Sequence, residues 1–203
     1  MRHKPKWGYL LVPIFLLFGL WFSVQYLLYV GYRINYTRSM PIGFYKLEYP
    51  VTKIQPGAVV EFCPPDWVNP GRFPFYARGR CNGGGEPMLK EVVAVGGDVV
   101  EITNAGVFIN DFFLRGSTPL DKPDLPRLRG RIEIKDNEIW VFGPGATPEL
   151  AQYSFDSRYF GSISVESVTG VQAESRDFRV RENLILSDRA RSIFSWWRSF
   201  WGA

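Results

Sequence analysis

The sequence predicts a mainly β domain behind a single apolar helix, with a short amphipathic helix at its end. Three observations predict this. Residues 9–32 carry no charged side chain. Residues 33–187 break into short apolar runs divided by Gly, Pro, Asn and Asp, with no long helical periodicity among them. Near the end, Ile193, Phe194, Trp196, Trp197, Phe200 and Trp201 include the i, i+3, i+4, i+7 spacing of one apolar helical face.

Taken in chain order, residues 1–8 form a basic tail holding Arg2, Lys4 and Lys6. Residues 9–32 are mostly Leu, Phe, Val, Trp and Tyr, with Gln25 the strongly polar exception. About 22 helical residues cross a hydrocarbon core of roughly 30 Å, so a transmembrane anchor is expected. A cleaved signal peptide is the competing reading, but it has a shorter apolar core and a small-residue cleavage site. This run is long and ends in Tyr29-Val30-Gly31-Tyr32-Arg33. The slight excess of basic residues before it, against Arg33 and Arg38 after it, is a small bias toward a cytoplasmic tail.

Residues 33–187 are enough for one domain with its own core. The expected strands are Gly43–Tyr49, Ala58–Phe62, Leu89–Val95, Val99–Ile102, Val107–Ile109, Arg131–Ile134 and Ile139–Phe142. Asn104-Ala105-Gly106 is expected to close a tight hairpin, and Asp98 after Gly96-Gly97 to fix a turn. Two loop-rich stretches interrupt the strands, Pro64–Pro87 and Ser117–Gly130. Cys63 and Cys81 bracket most of the first. A disulfide there would add roughly 3 kcal/mol by loop-closure entropy and needs an oxidising compartment; two free buried thiols are the alternative. Aromatics Trp67, Phe73, Phe75 and Tyr76 of that loop serve either packing or contact with a substrate or bilayer. Residues 188–203 form the amphipathic segment, which suits an interfacial helix, a helix on the protein's own core, or a partner-binding tail.

Charge narrows the partners. The net charge of +4 is concentrated at the two ends, which flank apolar segments, while residues 33–187 are nearly balanced. Nucleic acid is not expected, and anionic lipid suits the ends better. With two cysteines and one remote histidine, no metal or cofactor is expected.

The chemistry-bearing residues are Ser39, in Asn35-Tyr36-Thr37-Arg38-Ser39-Met40-Pro41-Ile42-Gly43, and Lys90, which opens Lys90-Glu91-Val92-Val93-Ala94-Val95-Gly96-Gly97-Asp98. His3 is the only histidine and lies in the tail, so a Ser-His-Asp triad is excluded. A lysine is able to act as base for a serine only where burial disfavours its ammonium form. The apolar run Leu89, Val92, Val93 and Val95 is compatible with that burial. Alone, each residue reads more simply: Ser39 as a turn residue and Lys90 as a solvated strand lysine.

Together with Ser154-Phe155-Asp156-Ser157-Arg158-Tyr159-Phe160-Gly161, these two segments resemble the three boxes of the type I signal peptidase family, in the family's order and behind an anchor. The resemblance implies a signal-peptidase-like β domain and a serine endopeptidase with a Ser39/Lys90 dyad. It implies Thr37 as an oxyanion donor beside the Ser39 N–H, Ser154 as the hydroxyl that orients Lys90, and Asp156 and Arg158 as a supporting ion pair. Pro41 follows Met40 directly, where housekeeping members insert a residue. This variant resembles the TraF-type branch, for which maturation of a conjugative pilin precursor, in some members with cyclisation, is implied. Gly143-Pro144-Gly145-Ala146 stands where the housekeeping family has Gly-Asp-Asn-Arg. The alternatives are general removal of signal peptides from exported preproteins and a non-catalytic scaffold of a secretion or pilus assembly. The expected placement is the bacterial inner membrane, single-pass, with the catalytic domain in the periplasm and the conjugative transfer machinery as a further partner.

Overall fold

The computed structural model describes residues 8–51 and 54–172. Residues 1–7 of the basic tail and the amphipathic segment 188–203 lie outside the described residues. Helix α1 spans Gly8–Tyr29, and its 22 residues make a rod of roughly 33 Å. From Leu11 to Tyr29 every residue is exposed, an apolar surface with no protein against it. Length and composition suffice for one membrane crossing.

The helix stops three residues short of the expected boundary at Tyr32. Val30 N–H still reaches Tyr26 O, but Gly31 takes a left-handed φ of 95° and donates to Leu28 O. A Cβ on Gly31 would lie 2.2 Å from Leu47 O, so the chain closes on itself there in a way only glycine permits. Tyr32 already belongs to strand β1 (Tyr32–Asn35), which pairs antiparallel with β2 (Gly43–Lys46). The joint is fastened by side chains. Arg33 donates to Leu28 O at 2.9 Å and ion-pairs with Glu61 at 2.6 Å, while Lys46 donates to Val30 O. Arg80 meets the same Glu61 at 2.9 Å. Helix α1, the first hairpin and the domain are thereby tied together.

Beyond the hairpin come β3 (Val59–Phe62), β4 (Met88–Val95), β5 (Val99–Ile102), β6 (Val107–Ile109), β7 (Phe112–Phe113), β8 (Gly130–Glu133), β9 (Glu138–Phe142), β10 (Ile163–Ser164) and β11 (Val168–Gln172). They form a five-stranded sheet in the order β10-β9-β4-β3-β11 and a four-stranded sheet in the order β7-β6-β5-β8, antiparallel throughout. The fold is mainly β, as the sequence predicts. Six of the seven expected strands agree within a residue at each end, and the seventh, Gly43–Tyr49, shortens to β2 plus a bridge from Glu48 to Val171. The hairpin at Asn104-Ala105-Gly106 closes through Thr103 N–H to Gly106 O, and Asp98 accepts from Val95 N–H at 2.9 Å.

Sheet order explains why β4 and β9 read as continuous apolar runs: both faces are covered. Ile139 and Val141 pack with Val60, Phe62 and Val92 on one side, and Trp140 and Phe142 with Val93, Ala94 and Ile134 on the other. The first long loop is packed rather than loose. Cys63 and Cys81 form a disulfide. Val68 and Phe73 are both 1 % exposed, and the Phe73 ring lies 5.0 Å from that of Phe155. Burying such a phenyl contributes about 2–3 kcal/mol. Phe75 stays 62 % exposed and borders the cleft described next.

Candidate active site

Ser39 stands in the turn between β1 and β2, and Lys90 is the third residue of β4, opposite Val60. The fold brings the two together: Lys90 Nζ lies 2.7 Å from Ser39 Oγ. Lys90 is 4 % exposed, buried by the neighbouring strands. That burial lowers its pKa from 10.5 to about 8; the Asp156 charge pulls it back up and the Arg158 charge pushes it down. Between about 8 and 10.5 the unfolded chain holds the lysine proton more firmly than the folded one, so stability rises with pH across that window.

The pair opens on a cleft of about 720 Å³. Its walls include Ile34, Tyr36, Met88, Phe75, Tyr153 and Phe155, and its charged lining includes Arg33, Arg38, Glu61 and Glu86.

Thr37 lies beside the serine, with its Oγ1 3.1 Å from Ser39 Oγ. Its hydroxyl also sits 2.7 Å from Asn35 Oδ1, an oxygen that is only an acceptor. The Thr37 proton therefore points to Asn35, and Thr37 presents a lone pair to Ser39.

Asp156 and Arg158 form a buried ion pair, Nε to Oδ1 2.7 Å and Nη2 to Oδ2 2.8 Å, with both side chains at 0 % exposure. Asp156 caps α2 (Ser157–Phe160) through Arg158 N–H and accepts Gly143 N–H at 3.0 Å. Arg158 also donates to Ala151 O and Ser154 O, each at 2.8 Å. The pair thus braces the wall behind Lys90.

Ser154 departs from expectation. It is 1 % exposed, but its Oγ makes no hydrogen bond among the described residues, so the expected bond to Lys90 is absent. Its Oγ packs against Gly143, where a Cβ would lie 1.9 Å from it and 2.6 Å from Ser39 O. The space a wider residue 143 would occupy is taken, and Ser154 serves there as a wall.

Two features were not legible in the sequence. Gly145 N–H donates to Ser39 O at 3.1 Å and Ala146 N–H to Arg38 O at 2.9 Å, so the Gly143–Ala146 segment holds the backbone of the turn that carries Ser39. Asn35 is the second: 6 % exposed, it is surrounded by hydrogen-bond partners from the same turn. Its position at the end of β1, a strand not foreseen, is what hid it.

Residues 5–175 match the family described as signal peptidase, peptidase S26. The chain belongs to this peptidase family. Curated relatives include a plasmid transfer protein TraF of Escherichia coli, 32 % identical over 145 residues, covering 70 % of this chain and 80 % of that protein. A probable conjugal transfer protein TraF of Sinorhizobium fredii is 31 % identical over 157 residues, covering 71 % of this chain and 76 % of the relative. Among solved structures, a signal peptidase I from Enterococcus faecalis aligns with a TM-score of 0.35 and 19 % identity, covering 61 % of this chain and 99 % of that one. The family match spans all three segments on which the resemblance to signal peptidases rests, and the TraF relatives agree with the branch that the Met40-Pro41 spacing suggests.

Proposed function

We propose that this signal peptidase family member is a membrane-anchored serine endopeptidase that matures a conjugative pilin precursor through a Ser39/Lys90 dyad. The observation that carries the reading is the 2.7 Å contact between Ser39 Oγ and a lysine buried enough to be neutral near pH 8. Neutral Lys90 takes the Ser39 proton as Oγ attacks the scissile carbonyl carbon, and then gives that proton to the departing amine. The Ser39 N–H is the candidate oxyanion donor; the Thr37 hydroxyl, expected as a second donor, gives its proton to Asn35 and serves the hydroxyl chain instead. Water then opens the acyl ester to give a free carboxylate; attack by the substrate's own amine would give a cyclic product instead. Asp156 and Arg158 hold the wall behind Lys90 and balance the field on it.

Placement in the inner membrane with the domain in the periplasm draws support from several features. Helix α1 is long enough to span a bilayer, and the disulfide suits an oxidising compartment. The hairpin next to the helix exposes Ile34, Ile42 and Phe44, with Ile34 paired across to Phe44, which suits contact with lipid. The basic tail of residues 1–8, the anchor and a domain ending near residue 187 complete the arrangement. Conjugation, rather than general preprotein export, is favoured by the relatives' being plasmid and conjugal transfer proteins.

The test is to incubate membranes containing the full chain with a conjugative pilin precursor and weigh the product. A truncated peptide supports the reading, and a mass short by one further water identifies cyclisation. An intact pilin precursor beside a cleaved exported preprotein would replace pilin maturation by general signal peptide removal, while no cleavage of either would leave the scaffold. Cleavage by the wild-type chain should also rise with pH through about 8 as Lys90 loses its proton. A kcat/KM that is flat between about pH 6 and 9 would show that Lys90 is not the base.

A further inference from the structure

We propose that Asn35 is a positioning residue of the reaction: its carboxamide sets the shape of the nucleophile turn and the direction of the hydroxyl chain that ends at Lys90. This rests on the dyad reading above. Asn35 Nδ2 donates to Thr37 O at 2.9 Å, Met40 O at 3.0 Å and Pro41 O at 3.1 Å, so one side chain bridges both ends of the turn that carries Ser39. Asn35 Oδ1 accepts from Thr37 N–H at 3.2 Å and from Thr37 Oγ1 at 2.7 Å. Three carbonyls around the nitrogen leave the amide one orientation, because the reverse would set oxygen against oxygen.

Direction follows from that orientation. With its proton held by Asn35, Thr37 offers Ser39 only a lone pair. While Lys90 is an ammonium, it donates to Ser39 Oγ, Ser39 donates to Thr37 and Thr37 donates to Asn35. The chain runs one way. When Lys90 becomes neutral, the Ser39 proton has two acceptors, Thr37 and Nζ, and rotation toward Nζ makes the hydroxyl ready to attack. Asn35 therefore keeps Thr37 from donating to Ser39 Oγ, a bond that would draw on the lone pairs needed for attack. Tyr45 assists from below, its hydroxyl donating to Pro41 O at 2.7 Å.

The test measures kcat and KM of the full chain in detergent micelles, on a peptide spanning the cleaved bond, for wild type, Asn35→Ala, Thr37→Val, their double variant and Ser39→Ala. Thermal melting checks the fold. Misplacing the nucleophile by about 1 Å is enough for a loss near 100-fold, so Asn35→Ala should lower kcat by about that factor while KM stays within about threefold. Thr37→Val should add less than about threefold to Asn35→Ala, because both act on one chain. A merely structural Asn35 would lower the melting temperature and leave the kcat of the folded fraction unchanged, which overturns the proposal, as do fully multiplicative effects of the two substitutions. Should Asn35→Ala fail to fold, Asn35→Ser, which keeps an acceptor toward Thr37, decides between the same outcomes through its kcat. If Ser39→Ala is inactive and the Asn35 variants keep full kcat, only the role of Asn35 falls; if Ser39→Ala stays active, the dyad falls and this proposal with it.

Discussion

Replacing Lys90 by methionine, or Ser39 by alanine, should lower precursor cleavage by roughly four orders of magnitude or more, and combining the two should add almost nothing. Non-additivity is expected because the lysine has no task without the serine proton and the serine is a poor nucleophile without the base. Methionine keeps the length and the packing of the lysine stem in its 4 % exposed site, so the loss reports the amine rather than a collapsed strand. Lys90→Arg should be equally inactive, since a guanidinium stays protonated at any working pH. The measurement is single-turnover cleavage in micelles by variants with wild-type melting curves. Methionine activity within about tenfold of wild type would exclude Lys90 as the base.

Asp156→Ala should lower the unfolding free energy by about 3–5 kcal/mol, read from denaturant titration of the full chain in micelles. The size follows from what is left behind. Arg158 is 1 % exposed and its charge is matched by Asp156 at 2.7 Å; without the carboxylate the guanidinium is buried with the carbonyl oxygens of Ala151, Ser154 and Thr118 and the rings of Phe142 and Tyr159 beside it, none of which carries the opposite charge. The same substitution removes the cap of α2 and the acceptor for Gly143 N–H. Asp156→Asn adds a readout at the active site. Because the Asp156 charge favours the Lys90 ammonium, neutralising it lowers the lysine pKa further, and the rise of activity with pH should move to lower pH. An unchanged profile with unchanged stability would remove Asp156 from the support of the lysine.

Much of the domain was legible before folding because its strands are short, apolar and divided by turn residues; Val99–Ile102 and Val107–Ile109 agree residue for residue. The strands that escaped are β7 and β10, only two residues long each, and two of mixed composition. Tyr32–Asn35 continues directly from the helix and carries Arg33 and Asn35, and Val168–Gln172 contains Thr169 and Gly170, so neither shows a run of apolar residues. β11 pairs with β3, far away in sequence, and β1 with its neighbour β2 across the turn that carries Ser39, so neither strand is announced by a local apolar run.

The site divides in the same way. The types and order of Ser39, Lys90 and Asp156 pointed to candidate chemistry, since a serine without histidine requires another base and the three segments carry the family pattern. Residue type alone could not decide whether Lys90 was buried, since a lysine on a strand is ordinarily solvated; the sheets that cover β4 decided it, and with it the lowered pKa. Nor does the hydroxyl of Ser154 reveal in sequence whether it meets Lys90 or, as here, packs against Gly143. The sequence by itself determined the apolar helix and the β character and named the candidate reacting groups, because these depend on composition and local order. The tertiary structure alone decided the 2.7 Å approach of serine to lysine, the backing of the nucleophile turn by Gly145 and Ala146, and the grip of Asn35, because each depends on chain segments meeting through sheet pairing and turn geometry that composition does not encode.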